Sequence, residues 1–170
     1  MASRGVSAWD EAAFARLAAC VTAANGRDRE RFVVAAGHLA AENLRVHRLA
    51  GMYALYLLSC RMKDLAADTL PTDVEIDSFA QRIFRDQNAL SGVAHDDLVE
   101  VLWVPFGGEA PVGITGARYT LEAMTALGLL LPKGSVEAHL HDLRVRLEDW
   151  CLRRGEYIER EVHDDELGPA

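Results

Sequence analysis

The residues of this chain that could do chemistry crowd into one short stretch. Glu42, Asn43, Arg45, His47 and Arg48 stand immediately before Tyr53 and Tyr56, at the start of a run that is otherwise apolar. Two guanidiniums, an imidazole, an amide and a carboxylate there border what reads as a core. The two tyrosines would add a wall that is apolar along the ring and donates at its tip. If a pocket opens among helices at this point, Glu42, Asn43, Arg45, His47, Arg48, Tyr53 and Tyr56 are its candidate lining. The plainer reading is that Asn43 sets helix register while Arg45, His47 and Arg48 pair with acids on neighbouring helices.

Other chemistries have less to work with. A helical di-iron centre needs Glu three residues before His on facing helices. The residues three before His38, His47, His95, His139, His141 and His163 are Ala35, Leu44, Gly92, Val136, Ala138 and Arg160. His38 with Glu42, and Glu159 with His163, share a helix face, but each pair supplies only part of a coordination shell. His139 and His141 diverge on a helix. No metal and no cofactor is therefore expected. Gly-x-Ser-x-Gly and Gly-x-x-x-x-Gly-Lys-Ser/Thr are both missing from the chain, which removes the nucleophile-elbow and P-loop chemistries. The glycine-rich segment 105–116 carries Glu109 in place of a phosphate-binding lysine. It offers at most a weak anion site between a helix N-terminus and Arg118, and its plainer use is as a connector or mobile lid. No catalytic residue emerges, and the balance leans away from an enzyme.

Composition narrows the partners. With 18 Lys and Arg against 26 Asp and Glu, the net charge is −8, which disfavours nucleic acid and anionic membrane as partners. Half of the 170 residues are hydrophobic and 26% are charged, the balance of an ordinary globular domain with one core. Cys20, Cys60 and Cys151 are odd in number and widely spaced, so neither a disulfide framework nor a zinc site is expected and a reducing compartment fits. Residues 1–10 hold no apolar run suited to a signal peptide, and a cytoplasmic location is the expectation. The longest strongly apolar stretch, Leu49 to Cys60, is 12 residues long, well short of the roughly 20 needed to span a membrane.

The elements that must position the cluster all read as helices. Apolar spacing gives a first helix over 8–24, opened by Ser7 and stopped by Asn25-Gly26. From residue 28 a seam of Phe32, Ala36, Leu39, Asn43, Val46, Ala50, Tyr53, Leu57, Cys60 and Asp64 alternates steps of four and three. Taken literally this is one helix of about 38 residues and about 55 Å, with Gly37 and Gly51 as the places where it could bend instead. Leu55 and Leu58 fall off the seam, so the second half is apolar nearly all round and belongs at the centre of the molecule. Thr72 and Glu75 form a capping box for a helix to about Leu90. His95–Val104 fits helix or strand, and helix is preferred because a strand there would have no partner. Thr115 or Gly116 opens a helix through Leu130. Ser135 caps a last one with seam Val136, Leu140, Leu143, Leu147, Trp150, Arg154 and Tyr157. On its outer faces Asp142–Arg146, Arg144–Glu148 and Glu156–Arg160 have ion-pair spacing.

The expected fold is an all-α single-domain bundle of six to seven helices, two of them long, with residues 1–7 and 164–170 frayed. The uninterrupted seams favour a module that acts by association with another protein, first of all as a homodimer. The alternative is a small-molecule-binding or enzymatic bundle whose pocket is lined by Arg45, His47, Arg48, Tyr53 and Tyr56. A third reading, an acidic surface docking on a basic partner, is weakened by the even mixing of arginine among the acids.

Overall fold

The computed structural model describes residues 9–109 and 112–166, and their side chains as far as Arg154. These residues form seven α-helices and one 3₁₀ turn: α1 (Glu11–Asn25), α2 (Arg29–Ala40), α3 (Leu44–Leu65), α4 (Asp73–Ser91), α5 (His95–Trp103), the turn Val104–Phe106, α6 (Gly116–Leu130) and α7 (Val136–Glu166). No strand occurs among them. None of the helices is long and apolar enough to cross a membrane. The all-α bundle expected from the periodicity is thus observed, and the ambiguous segment after His95 is helical.

Side-chain caps decide where most of the helices begin. Asp10 opens α1 by accepting from the Ala13 amide at 2.9 Å, and Ser7 lies outside the described residues. Thr72 and Glu75 form the reciprocal capping box of α4, and Thr115 caps α6. Ser135 does something else: its hydroxyl donates to the Pro132 carbonyl at 2.7 Å. At the end of α1 neither Asn25 nor Gly26 turns left-handed. Arg27 does, with φ of 50°, and its side chain bonds the Asn25 carbonyl at 2.8 Å and Asp86 at 3.0 Å.

The single long helix over 28–66 is instead two. Helix α2 ends at Ala40, and Asn43 takes an extended conformation from which its side chain accepts from the Val46 amide at 3.0 Å. Asparagine satisfies an orphan amide as a cap better than it serves a helix interior, where its side chain competes with the backbone. The seam survives because both helices turn it inward: Phe32, Leu39, Val46, Ala50, Tyr53 and Leu57 are all buried. Neither glycine bends a helix. Asn43→Ala is expected to cost about 1 kcal/mol, read as a lower urea midpoint at unchanged slope. Asn43→Asp, which keeps a capping oxygen, should hold the parent's stability.

The centre of the bundle is α6 rather than the second half of α3. It packs against α1, α3, α4 and α5, and from Tyr119 to Leu131 every residue except Leu121 is buried. Helix α3 lies beside it, with Tyr53, Ala54, Leu57 and Leu58 wholly buried and Leu55 half-buried. Close approach makes this possible. A Cβ at Gly128 would meet the Val21 carbonyl oxygen at 2.6 Å, and one at Gly51 would meet Thr120 Oγ1 at 2.8 Å. Asn25, itself buried, ties α1 to the end of α6: its amide donates to the Gly128 carbonyl at 3.0 Å and its oxygen accepts from the Gly134 amide at 3.2 Å.

Helix α7 covers α1 and α3 with Leu143, Leu147 and Cys151. Arg144 bridges Glu148 at 2.8 Å and Glu11 at 2.5 Å. Arg146 reaches Asp64 of α3 at 3.2 Å rather than Asp142. The Glu156–Arg160 pair, Glu159, His163 and the seam position Tyr157 fall outside the described side chains.

Candidate functional site

Successive helix residues point about 100° apart, and this scatters the sequence cluster around the start of α3. Glu42 accepts from Arg16 Nε of α1 at 2.8 Å, Asn43 is the cap, and Arg45 lies 3.8 Å from Asp10. The Glu42 and Arg45 pairs tie the start of α3 to α1. Tyr53 is wholly buried. Its hydroxyl accepts from the Asp10 amide at 2.9 Å, its ring stacks on Trp9 at 5.9 Å, and the Cys151 thiol is a further hydrogen-bond partner. Burial holds its phenol above the ordinary range. Tyr53 is a core residue, and it lines none of the three grooves described below.

His47 and Arg48 remain. Together with Leu44, Gly51, Met52 and Leu55 they present one face of α3 to the first turn and a half of α6, where Gly116, Ala117, Tyr119 and Thr120 complete a groove of about 510 Å³. Gly116 and Ala117 have no side chain long enough to fill that space, and Gly51 lets Thr120 close on α3. Neither His47 nor Arg48 has an acidic partner within 4.0 Å among the described residues. No Asp or Glu lines the groove, in a chain of net charge −8. Gly116 and Ala117 open α6, where backbone N–H groups lack intrahelical acceptors and the helix dipole is positive.

Tyr119 borders the groove, but its hydroxyl is sealed inside the protein with no hydrogen-bond partner among the described residues. Burial drives its phenol above the ordinary range, so it stays protonated. The groups that face the groove are a guanidinium, an imidazole and a helix N-terminus with apolar walls, an arrangement that can take up an anion.

Tyr56 belongs to an adjoining hollow of about 390 Å³, walled by Ser59, Val104, Pro105, Trp150 and Arg154 and sharing Met52 and Leu55 with the first. Its ring stacks on Trp150 at 4.7 Å. A third groove, between α1 and α2, holds about 580 Å³. It is shallow and lined by alanines, with Glu30 beside Arg31, and Arg31 is already paired with Asp28 at 3.4 Å. His38 lines it, apart from Glu42, which is engaged by Arg16. Charge there is balanced, and no orphaned buried group faces it.

One polar cluster has no counterpart in the sequence reading. Glu122, wholly buried on α6, accepts from Gln87 Nε2 at 2.9 Å, Ser91 Oγ at 2.8 Å and Arg118 Nε at 2.8 Å. Arg118 also donates to the Ser91 carbonyl. Arg118 is therefore committed to Glu122 and supplies no anion site to the glycine-rich loop. The available signal was a lone carboxylate in the apolar run of α6. The groups bond one another and line none of the three grooves, so the cluster is a clasp between α4 and α6. None of the three cysteines is in a disulfide among the described residues. Burial pushes Cys20 up to about 11 and also raises Cys151, which leaves both as neutral core residues.

Among the described residues no group of three His, Cys, Asp or Glu converges on a metal-sized site. Comparison of the chain with protein-family models, with curated proteins and with solved structures finds no match.

Proposed function

We propose that this chain is a small-molecule-binding helical module of a reducing, cytoplasmic compartment, and that it takes up a small organic anion in the groove between α3 and the start of α6. The observation that carries the reading is that Arg48 and His47, neither with an acidic partner among the described residues, share one groove free of Asp and Glu with the N-terminus of α6. The homodimer reading has less behind it. It rests on two long seams, of which the first is buried within this chain at Phe32, Leu39, Val46, Ala50, Tyr53 and Leu57 and the second at Val136, Leu143 and Leu147. Among the described residues no side chain orients His47 as a general base, which favours capture over turnover.

The test is an amide NMR titration with the apolar sulfonate 8-anilinonaphthalene-1-sulfonate. Saturable shifts should centre on Leu44, Gly51, Ala117 and Thr120. Loss of one charge-assisted contact in Arg48→Gln should weaken binding about tenfold. Shifts centred on the α1–α2 groove, or unchanged affinity in the variant, would remove the basis of the reading.

A further inference from the structure

Helix α2 departs from the pattern of an outer helix. From Phe32 to Ala41 the chain holds no Asp, Glu, Lys or Arg, and a helix that is apolar all round is normally covered all round. Phe32, Ala35 and Leu39 form its buried side, and it packs mainly on α1, with a lesser contact to α4. Val33, Val34, Gly37, Ala40 and Ala41 face outward. The two valines, adjacent in the chain, are each 58% exposed. Single exposed apolar side chains are ordinary, whereas a contiguous face of them marks a contact. This face belongs to neither long seam, and the groove beside it shares no residue with the anion groove.

We infer that a second copy of this chain covers the face, with the two α2 helices antiparallel across a two-fold axis at Val34. Charge selects this occupant. Glu30, Val34 and His38 stand four residues apart on one ridge of α2, along the shallow α1–α2 groove of about 580 Å³. Neither Glu30 nor His38 has an ion-pair partner within 4.0 Å among the described residues. With the axis at Val34, residues equally far from it on either side meet. Glu30 therefore faces His38 of the second copy, twice over, a carboxylate that accepts against an imidazole that donates. Arg31 faces Gly37, so no like charges are brought together. Ridges of this four-residue spacing are the commonest contact between helices, and Ala18, Ala19 and Ala23 give the groove a low floor on which the second copy's Val34 can lie. The net charge of −8 opposes self-association in general. On α2, however, Glu30 is the one carboxylate, set between Arg29 and Arg31. A two-fold contact needs a surface that is its own complement, and this ridge is one.

Sedimentation equilibrium of the full chain, from low to high micromolar concentration, tests it and should show monomer and dimer in exchange. Every substitution at a two-fold contact counts twice. Val34→Glu removes two valines from the contact and sets two carboxylates together, and should weaken the dimer at least about hundredfold. Glu30→Lys should weaken it about tenfold. Adding His38→Glu to that variant should restore the parent's dimer, because opposite charges then meet again. Val145→Glu, at a position of α7 that is 53% exposed, is the control and should leave the dimer as it was. All four side chains are exposed, and the urea midpoint of each variant checks its folding. A monomer at every concentration, with the sulfonate still shifting the α3–α6 groove, overturns the dimer and leaves the anion site standing. A dimer that Val34→Glu does not weaken, or that Val145→Glu weakens as much, overturns the α2 face. A Glu30→Lys defect that His38→Glu does not repair overturns the antiparallel pairing.

Discussion

Gly128→Ala is expected to destabilise the protein by at least about 3 kcal/mol, the upper part of the range for overpacking a tight interior. The added carbon would lie 2.6 Å from the Val21 carbonyl oxygen, 2.9 Å from Ala24 Cβ and 3.1 Å from the Asn25 amide nitrogen. Two of these are backbone atoms of α1, so relief requires moving a whole helix rather than turning a side chain. That movement would also stretch the Asn25 bonds to the end of α6, which include one of 3.0 Å to the carbonyl of Gly128 itself. For a chain of this size the loss corresponds to a melting temperature lower by about 10 °C. Gly37→Ala is the control of opposite sign. Nothing lies within 4 Å of a Cβ there, and removing a glycine from a helix interior gains about 0.5–1 kcal/mol. If urea unfolding puts both variants within about 0.5 kcal/mol of the parent, the close contact of α1 with α6 is not what holds this bundle.

The second large effect is at Glu122. Its replacement by leucine should cost about 2–4 kcal/mol, mostly through Gln87. Arg118 is 44% exposed and can turn to water once its partner is gone, so the ion pair contributes modestly. Gln87 is fully buried and loses its carboxylate acceptor. Its amide already bonds the Glu122 carbonyl at 3.0 Å, and its own oxygen lacks a partner. The double variant Gln87→Leu with Glu122→Leu should recover most of the loss, because removing both partners of a buried polar pair is close to neutral. A double-mutant cycle in urea reads this as a coupling of about 1 kcal/mol or more. Additive losses would mean that the two side chains do not act as a unit.

Local chemistry was legible in the sequence wherever the deciding interaction spans a few residues. Helical periodicity, the Thr72–Glu75 capping box, the Thr115 start of α6, the stop near Gly92 and the Arg144–Glu148 pair all appear where spacing put them. The break at Asn43 was not legible, since Asn43 falls on the seam of what reads as one long helix. The unbroken seam hid it, because a seam records which side faces the core and not whether the backbone is continuous.

The candidate site was legible only in part, since naming polar residues near an apolar run says nothing of what each will meet. Arg16 and Asp10 claim Glu42 and Arg45 from another helix, and the core claims Tyr53. His47 and Arg48 are left over because no acid lies near enough on any described neighbour. The groove itself lies beside the start of α6, where Gly116 has nothing within 4 Å of a Cβ and Ala117 is small, while Gly51 is where Thr120 closes on α3.

The same division runs through the whole molecule. The sequence by itself determined the helices, most of their ends and the faces turned inward, because backbone hydrogen bonding and hydrophobic period act over one or two turns. Only the tertiary structure decided that α6 is the centre, that Glu122 clasps α4, and that a cationic groove stays open. Those outcomes depend on distances between residues far apart in the chain, which packing sets and local spacing does not encode.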